Sequence, residues 1–178
     1  MLCSHIAETL DSQGQAAADF EEMQLAFRNV MASVPAPVTV VTAIAAGNAH
    51  GTTVSAFASL SLDPPMVMVA LDRNSELLNI LRKTGEFGVN ILQADQATWA
   101  GAFAKKGSDK FEGIPWSVDH GLPRLLGTGW IACSVAALVD GGDHVIALGA
   151  VVGVDLAATG EPLTYCQRTF GTHLPVGP

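Results

Sequence analysis

The stretch from Gly51 to Pro65, GTTVSAFASLSLDPP, sets Thr52, Thr53, Ser55, Ser59 and Ser61 along one strand and the loop that leaves it. Period-two alternation sends Thr53, Ser55 and Phe57 to one face. Small hydroxyls and backbone N–H groups make a shallow wall that can bond a flat, polar-edged ligand, where bulky side chains would block it. The same pattern also describes an ordinary solvated sheet face. Two further positions could carry chemistry. Ser75 precedes ELLNILRKT and can N-cap that helix. His144 follows Gly141-Gly142-Asp143, so its imidazole can project into a pocket mouth or sit satisfied at a strand start.

Other chemistries lack their residues. No G-x-G-x-x-G follows the first strand, and no G-x-x-x-x-G-K-[ST] occurs. There is no G-x-S-x-G elbow and no Cys-His pair close in sequence. His5, His50, His120, His144 and His173 are scattered without metal-ligand spacing, so no metal site is expected. Cys3, Cys133 and Cys166 form no C-x-x-C. Cys133 reads as a small core residue, and a reduced, cytoplasmic setting fits the set.

The positioning elements follow from periodicity and breakers. An amphipathic helix is expected from about Asp19 to Ala32, with Phe20, Met23, Phe27, Val30 and Met31 on one side, stopped at Val34-Pro35-Ala36-Pro37. Residues 1–18 read as a loosely ordered acidic leader ahead of a domain spanning 19–178. Val38 to Ala45 reads as a strand, AGNAHG as a turn, and Thr52 to Leu60 as the return strand. Met66 to Asp72 is an unbroken apolar run, expected to be buried on both faces. The Ser75-capped helix ends at Gly85, Glu86 to Leu92 is a strand, and a helix runs from Asp95 to about Ala104. Lys105 to Trp116 reads as a loop. A long hairpin turns at Gly141 to Asp143, and a last strand lies between Leu163 and Phe170. Strands follow strands with helices between only some of them, which predicts an antiparallel barrel of six or seven strands with two or three helices.

The chain has 178 residues, 49% hydrophobic and 15% charged, with net charge −8. That suits one domain with an ample core, and some apolar surplus can be covered in a subunit interface. Glu8, Asp11, Asp19, Glu21 and Glu22 crowd the first 25 residues, while all nine Lys and Arg lie beyond them near charge balance. No basic stripe is available for a phosphodiester backbone, so no nucleic-acid partner is expected. The N-terminus lacks the basic and apolar regions of a secretory signal, and no apolar run is long enough to predict a membrane span.

Taken in order, VTVVTA (Val38 to Ala43), GTTVSAF (Gly51 to Phe57), SLSLDPP (Ser59 to Pro65), VALD (Val69 to Asp72), FGVNIL (Phe87 to Leu92), FA (Phe103, Ala104), DKFEGIPW (Asp109 to Trp116), GDHVIALGAV (Gly142 to Val151) and PLTY (Pro162 to Tyr165) resemble the flavin reductase-like family. The likeness covers roughly Phe27 to Phe170. It departs at Ala36-Pro37, where family members often have glycine, and at Arg168-Thr169-Phe170, where they often end in tyrosine. The resemblance implies a mainly β fold, the FMN-binding split barrel, and hydride transfer from NADH or NADPH to FMN or FAD. It also implies a homodimer and a partner flavin-dependent monooxygenase that receives reduced flavin. Thr53, Val54, Ser55 and Ala56 would line the isoalloxazine, and Ser59, Leu60 and Ser61 its edge and the ribityl chain. Ser75 would meet the flavin phosphate through helix N–H groups and dipole, or act as a simple N-cap. Asn90 would bond ribityl or ring, or be a strand-edge polar residue. Phe103 and Ala104 join the cofactor-binding set. Lys110 and Phe111 would close over the flavin, with Lys110 neutralising phosphate, or lie in a solvated loop. His144 would position the nicotinamide and could deliver a proton to reduced flavin. A flavin- or haem-binding carrier or sensor would share the fold and site but not the nicotinamide role of His144.

Overall fold

The computed structural model describes residues 2–107, 109–156 and 160–177. It divides into two units, one of residues 1–35 with 166–168, the other of the remainder. In the first unit a single helix, α1 (Leu2–Ala32), runs further back than the expected start at Asp19. Residues 2–18, expected to be loosely ordered, continue it. The reason is composition: the chain has one glycine, Gly14, and no proline before Pro35, so nothing interrupts the helix. Its end is fastened locally, with the Gln167 N–H donating to the Ala32 carbonyl at 2.6 Å and Arg168 to Asn29 Oδ1 at 3.0 Å.

The second unit carries β1 (Ala36–Pro37), β2 (Thr39–Ala45), β3 (Asn48–Val54), β4 (Phe57–Leu62), β5 (Pro65–Asp72), α2 (Glu76–Thr84), β6 (Glu86–Ile91), α3 (Ala97–Ala104), β7 (Trp116–Asp119), β8 (Leu122–Leu125), β9 (Gly129–Gly141), β10 (His144–Leu156), β11 (Leu163–Cys166) and β12 (Thr169–Thr172). One seven-stranded sheet has the order β3-β2-β6-β9-β10-β5-β4, every neighbour antiparallel. Small sheets β1-β11-β12 and β7-β8 flank it.

The sheet's two edges are consecutive in the chain. β3 ends at Val54 and β4 starts at Phe57, so only Ser55 and Ala56 separate them. Three peptide links reach at most about 10 Å. The sheet must therefore curl until its edges almost meet, which is a split barrel. This corrects the expected single return strand from Thr52 to Leu60. Its first half pairs with β2 and its second half with β5, and the alternation of Thr53, Ser55 and Phe57 breaks at the crossing. β5 also differs from expectation. Val67, Val69 and Leu71 are buried in the core cluster while Met66, Met68 and Ala70 on the opposite face are half-buried.

Inside the barrel, Val41, Val69, Phe87, Val89, Cys133 and Ala147 pack with Leu77, Leu78, Ile80 and Leu81 of α2. Each fully buried leucine contributes roughly 1.5–3 kcal/mol, which is what holds so short a helix. α2 stops at Gly85, whose φ of 72° lets its N–H close on the Leu81 carbonyl. A second cluster covers the other face of β2: Val38, Val40, Leu92, Phe103 and Leu125, with Ala100 of α3. Cys133 sits at zero exposure, and burial pushes its thiol up to about 12, as suits a core residue. The β7-β8 hairpin was not expected from sequence. It turns at His120 and Gly121, both with positive φ (48° and 74°), and Arg124 pins it by pairing with Asp119 and Asp155. Among the described residues, no helix is long and apolar enough to cross a membrane.

Candidate active site

Where the barrel edges meet, the split opens as a cleft of about 1160 Å³. Its floor is β3 with Ser55 and Ala56. One wall is the end of β5 (Ala70, Leu71, Asp72) and the first turn of α2 (Ser75, Glu76, Leu77). The other is the segment after α3 (Ala104 to Gly107, Lys110, Phe111), and His144 opens the site at the start of β10. Among the sequence-derived residues, Thr53, Val54, Ser55, Ala56, Ser75, Ala104, Lys110, Phe111 and His144 all line this one space.

Ser55 and Ala56 belong to no strand; their carbonyls accept from the N–H groups of Phe57 and Ala70 at 2.9 Å. Both residues line the cleft at the point where the chain leaves one barrel edge for the other. Thr53 has a different use for its hydroxyl, which donates to the Ala100 carbonyl at 2.7 Å and ties β3 to α3. Gly51 permits the close approach of the aromatic layer beneath: a Cβ there would lie 2.7 Å from Phe103 Cε1. Phe103 stands edge-on to Phe111 with centroids 4.8 Å apart.

Ser75 is the residue before α2, but its hydroxyl makes no cap hydrogen bond. The side chain and the unpaired first-turn N–H groups thus remain for a ligand, in a setting that favours an anion. Lys105 and Lys106 line the same cleft. Lys110 is anchored to the protein: Nζ donates to the Gly51 carbonyl at 3.0 Å and to the Phe103 carbonyl at 3.2 Å. Burial lowers its pKa from the ordinary lysine value, and nearby Glu76 opposes that shift.

His144 Nδ1 lies 2.8 Å from Asp143 Oδ1. An ionised carboxylate only accepts, so Nδ1 carries the proton and Nε2 is left to face a ligand. That hydrogen bond holds the Asp143 carboxyl below its usual range.

The structure does not bring every expected residue here. Ser59, Leu60 and Ser61 ride on β4, beyond the crossing, where a register shift against β5 between Ser59 and Ser61 bulges the edge. None of the three lines the cleft. Phe103 is fully buried and acts from behind Phe111. Asn90 is also fully buried. Its Nδ2 donates to the Val40 carbonyl (3.1 Å) and Thr42 Oγ1 (3.3 Å), while its Oδ1 accepts from the Leu125 N–H (2.7 Å); the Thr128 hydroxyl, 3.4 Å from Oδ1, has its shorter bond to the Leu125 carbonyl (2.8 Å). It fastens β8 to the sheet and does not line the cleft. Asn90→Ala should therefore lower stability by about 2 kcal/mol, since it strands a buried N–H. Thermal melts should fall while flavin titration of the folded protein stays level; an intact melt with weakened flavin binding would restore Asn90 as a ligand.

Sequence reasoning missed His50 and Glu76, and it offers Lys105 and Lys106 only as cations that it cannot place. The sequence places His50 in a turn, but β3 begins at Asn48, so His50 lies on the strand that floors the cleft, with Nδ1 3.7 Å from Glu76 Oε1. Asx and glycine residues around 47–51 hid that start. Among the described residues no group of three His, Cys, Asp or Glu could hold a metal ion.

A flat ligand with a polar edge and an anionic tail fits this donor set. The β3–β4 crossing lies on the floor, a helix N-terminus stands at one wall with lysines on the wall opposite, and an imidazole sits at the mouth. The volume exceeds the roughly 300–1,000 Å³ of ordinary small-molecule sites, which leaves room for a second planar group.

Comparison with known proteins agrees with that geometry. Residues 31–173 match the family model described as flavin reductase like domain. The reductase component of 4-nitrophenol 4-monooxygenase/4-nitrocatechol 2-monooxygenase from Rhodococcus opacus is 39% identical over 150 residues, covering 84% of this chain and 80% of its own. A flavin reductase (NADH) from Kitasatospora aureofaciens is 36% identical over 150 residues, covering 81% and 78%. The crystal structure of nitrilotriacetate monooxygenase component B from Mycobacterium thermoresistibile superposes with a TM-score of 0.82 at 31% identity, over 88% of this chain and 93% of that one. With its split barrel, its cleft and a family match across most of its length, the chain belongs to the flavin reductase like domain family.

Proposed function

We propose that this protein is an NAD(P)H:flavin oxidoreductase that supplies reduced flavin to a separate monooxygenase. The observation that carries the reading is one cleft holding the Thr53–Ala56 crossing, the N-terminus of α2 and His144 together. FMN or FAD is the flavin. NADH is the favoured donor, in line with the name of the Kitasatospora relative. Hydride acceptance is the chemistry that a bound flavin supplies; proximity and alignment are what the protein adds. The N–H groups of Ser55 and Ala56 bond the polar ring edge. Ser75, with the first turn of α2, holds the phosphate, and Lys105 and Lys106 add positive charge. Phe111 closes the cleft from the loop side. His144, oriented by Asp143, positions the nicotinamide and can hold or release a proton at Nε2.

A homodimer in the cytoplasm is part of the same proposal. On α1, Phe20, Met23, Phe27 and Val30 are each more than half exposed, an apolar stripe that a second copy would cover. Sedimentation at several concentrations tests this, and a monomer throughout would rule it out.

Mixing the purified protein with NADH and FMN, FAD or riboflavin should bleach the nicotinamide absorbance band. No oxidation of NADH or NADPH with any flavin would sink the activity. His144→Ala should raise the KM for NADH about tenfold, near 1.4 kcal/mol, and leave flavin affinity unchanged. A flavin carrier without turnover would show no nicotinamide effect.

A further inference from the structure

His144 sits at the tip of a long ribbon, and something must hold that tip. β9 and β10 run 13 residues each, and the half of β9 next to the turn, from Ala136 to Gly141, is exposed. Gly141 pairs with His144 across a two-residue turn, Gly142-Asp143. Gly142 has φ of 68° and Asp143 is not left-handed, the pattern of a type II′ turn. Such a tip frays readily unless it is tied to a neighbour.

Arg73 provides the tie. It follows the last residue of β5, whose Asp72 stands opposite His144 in register. The Arg73 N–H donates to the Asp143 carbonyl at 3.0 Å. Its Nε donates to the Gly142 carbonyl at 2.6 Å. Its Nη1 pairs with Asp140 Oδ1 at 2.9 Å. One residue thus grips three positions of the turn, from a strand that itself forms a cleft wall. A guanidinium held in a planar fork by two acceptors is fixed in direction in a way a lysine ammonium is not.

We propose that Arg73 is a positioning residue for the electron-donor end of the site, holding the β9–β10 turn so that His144, bonded to Asp143, lines the cleft. The role rests on the assignment of His144 to the nicotinamide. It also gives Arg73 a use other than a direct contact to the 2′-phosphate of NADPH, since Nε and Nη1 already have protein partners.

The test combines steady-state kinetics with imidazole nitrogen NMR on the full chain. The variants are Arg73→Ala, Arg73→Lys, His144→Ala and the Arg73→Ala/His144→Ala double. Arg73→Ala should raise the KM for NADH and for NADPH by the same factor, about fivefold, with kcat and flavin affinity within twofold. Arg73→Lys should recover only part of the loss. The double variant should be no worse than His144→Ala alone, and the His144 ring signals should change tautomer balance in Arg73→Ala. Unchanged ring signals overturn the proposal, as does a double variant whose losses multiply. A loss confined to NADPH overturns it in favour of a direct phosphate contact. If the ring signals shift but neither Arg73→Ala nor His144→Ala moves the KM, Arg73 does hold His144 and it is the nicotinamide role of His144 that fails.

Discussion

Replacing Gly88 with alanine should destabilise the protein by about 3 to 4 kcal/mol and lower its melting temperature by roughly 10 °C. A Cβ at position 88 would lie 2.0 Å from Trp130 Cη2, 2.4 Å from its Cζ3 and 2.8 Å from Thr42 Oγ1. None of these can give way cheaply. β6 lies between β2 and β9, so its backbone is held on both sides. Trp130 is 2% exposed, and Thr42 is fixed by its hydrogen bond to the Pro123 carbonyl at 2.6 Å. The cause can be isolated by a second change. Trp130 presents the benzo end of its indole to Gly88, and its buried Nε1 has no hydrogen-bond partner among the described residues. Trp130→Phe removes the clashing atoms and the unpaired donor together. By itself it leaves a cavity and should cost about 1 to 3 kcal/mol. In the Gly88→Ala/Trp130→Phe pair the new methyl occupies part of that cavity, so the double variant should be at least 1 kcal/mol more stable than the sum of the singles. Urea titrations of the four proteins give the coupling; additive losses would place the damage in backbone strain at β6 and not in the contact with Trp130.

Gly88 illustrates what could and could not be read from the sequence. VTVVTA, the Ser75-to-Gly85 helix and the turn at Gly141 to Asp143 were legible because β-branched runs, helix-ending glycine and glycine-rich turns act locally. Of the segment GTTVSAF, Gly51 to Ala56 line the cleft. What escaped reading depends on partners far along the chain. Nothing in Ser55-Ala56 marks a crossing: neither residue is Gly or Pro, and the change of direction is forced by which strands β3 and β4 pair with. For that reason Ser59, Leu60 and Ser61 seemed to extend the ligand wall and instead lie on the opposite barrel edge. The resemblance offered Asn90 as a ligand; its neighbours, Val40, Thr42, Leu125 and Thr128, lie in two other parts of the chain. His120-Gly121 makes a hairpin turn without the Asn-Gly or Asp-Gly that would announce it.

Lys110→Met should weaken flavin binding about 30-fold, near 2 kcal/mol, while the barrel stays folded. The sequence suggested that Lys110 neutralises phosphate, but its ammonium bridges the Gly51 and Phe103 carbonyls, one on the floor strand and one at the end of α3. It therefore fixes the width of the cleft. Hydrogen bonds from a charged donor contribute roughly 1.5–3 kcal/mol each when dry, and less here because the group is only half-buried. Methionine fills similar volume without donating, so the loop carrying Phe111 loses its tie to β3 while the Phe103–Phe111 contact remains. The cost should fall on preorganisation: slower flavin association, higher Kd, and a melting temperature within a few degrees of the parent. Fluorescence titration with FMN and FAD at rising salt separates the two roles. A tie between protein groups predicts a loss that salt hardly changes and that riboflavin, which lacks phosphate, shares in full. A direct phosphate contact predicts that riboflavin binding is spared and that the difference between parent and variant shrinks as salt screens it. Sparing of riboflavin would return Lys110 to the phosphate, and the width of the cleft would then rest on Thr53 and its hydrogen bond to Ala100.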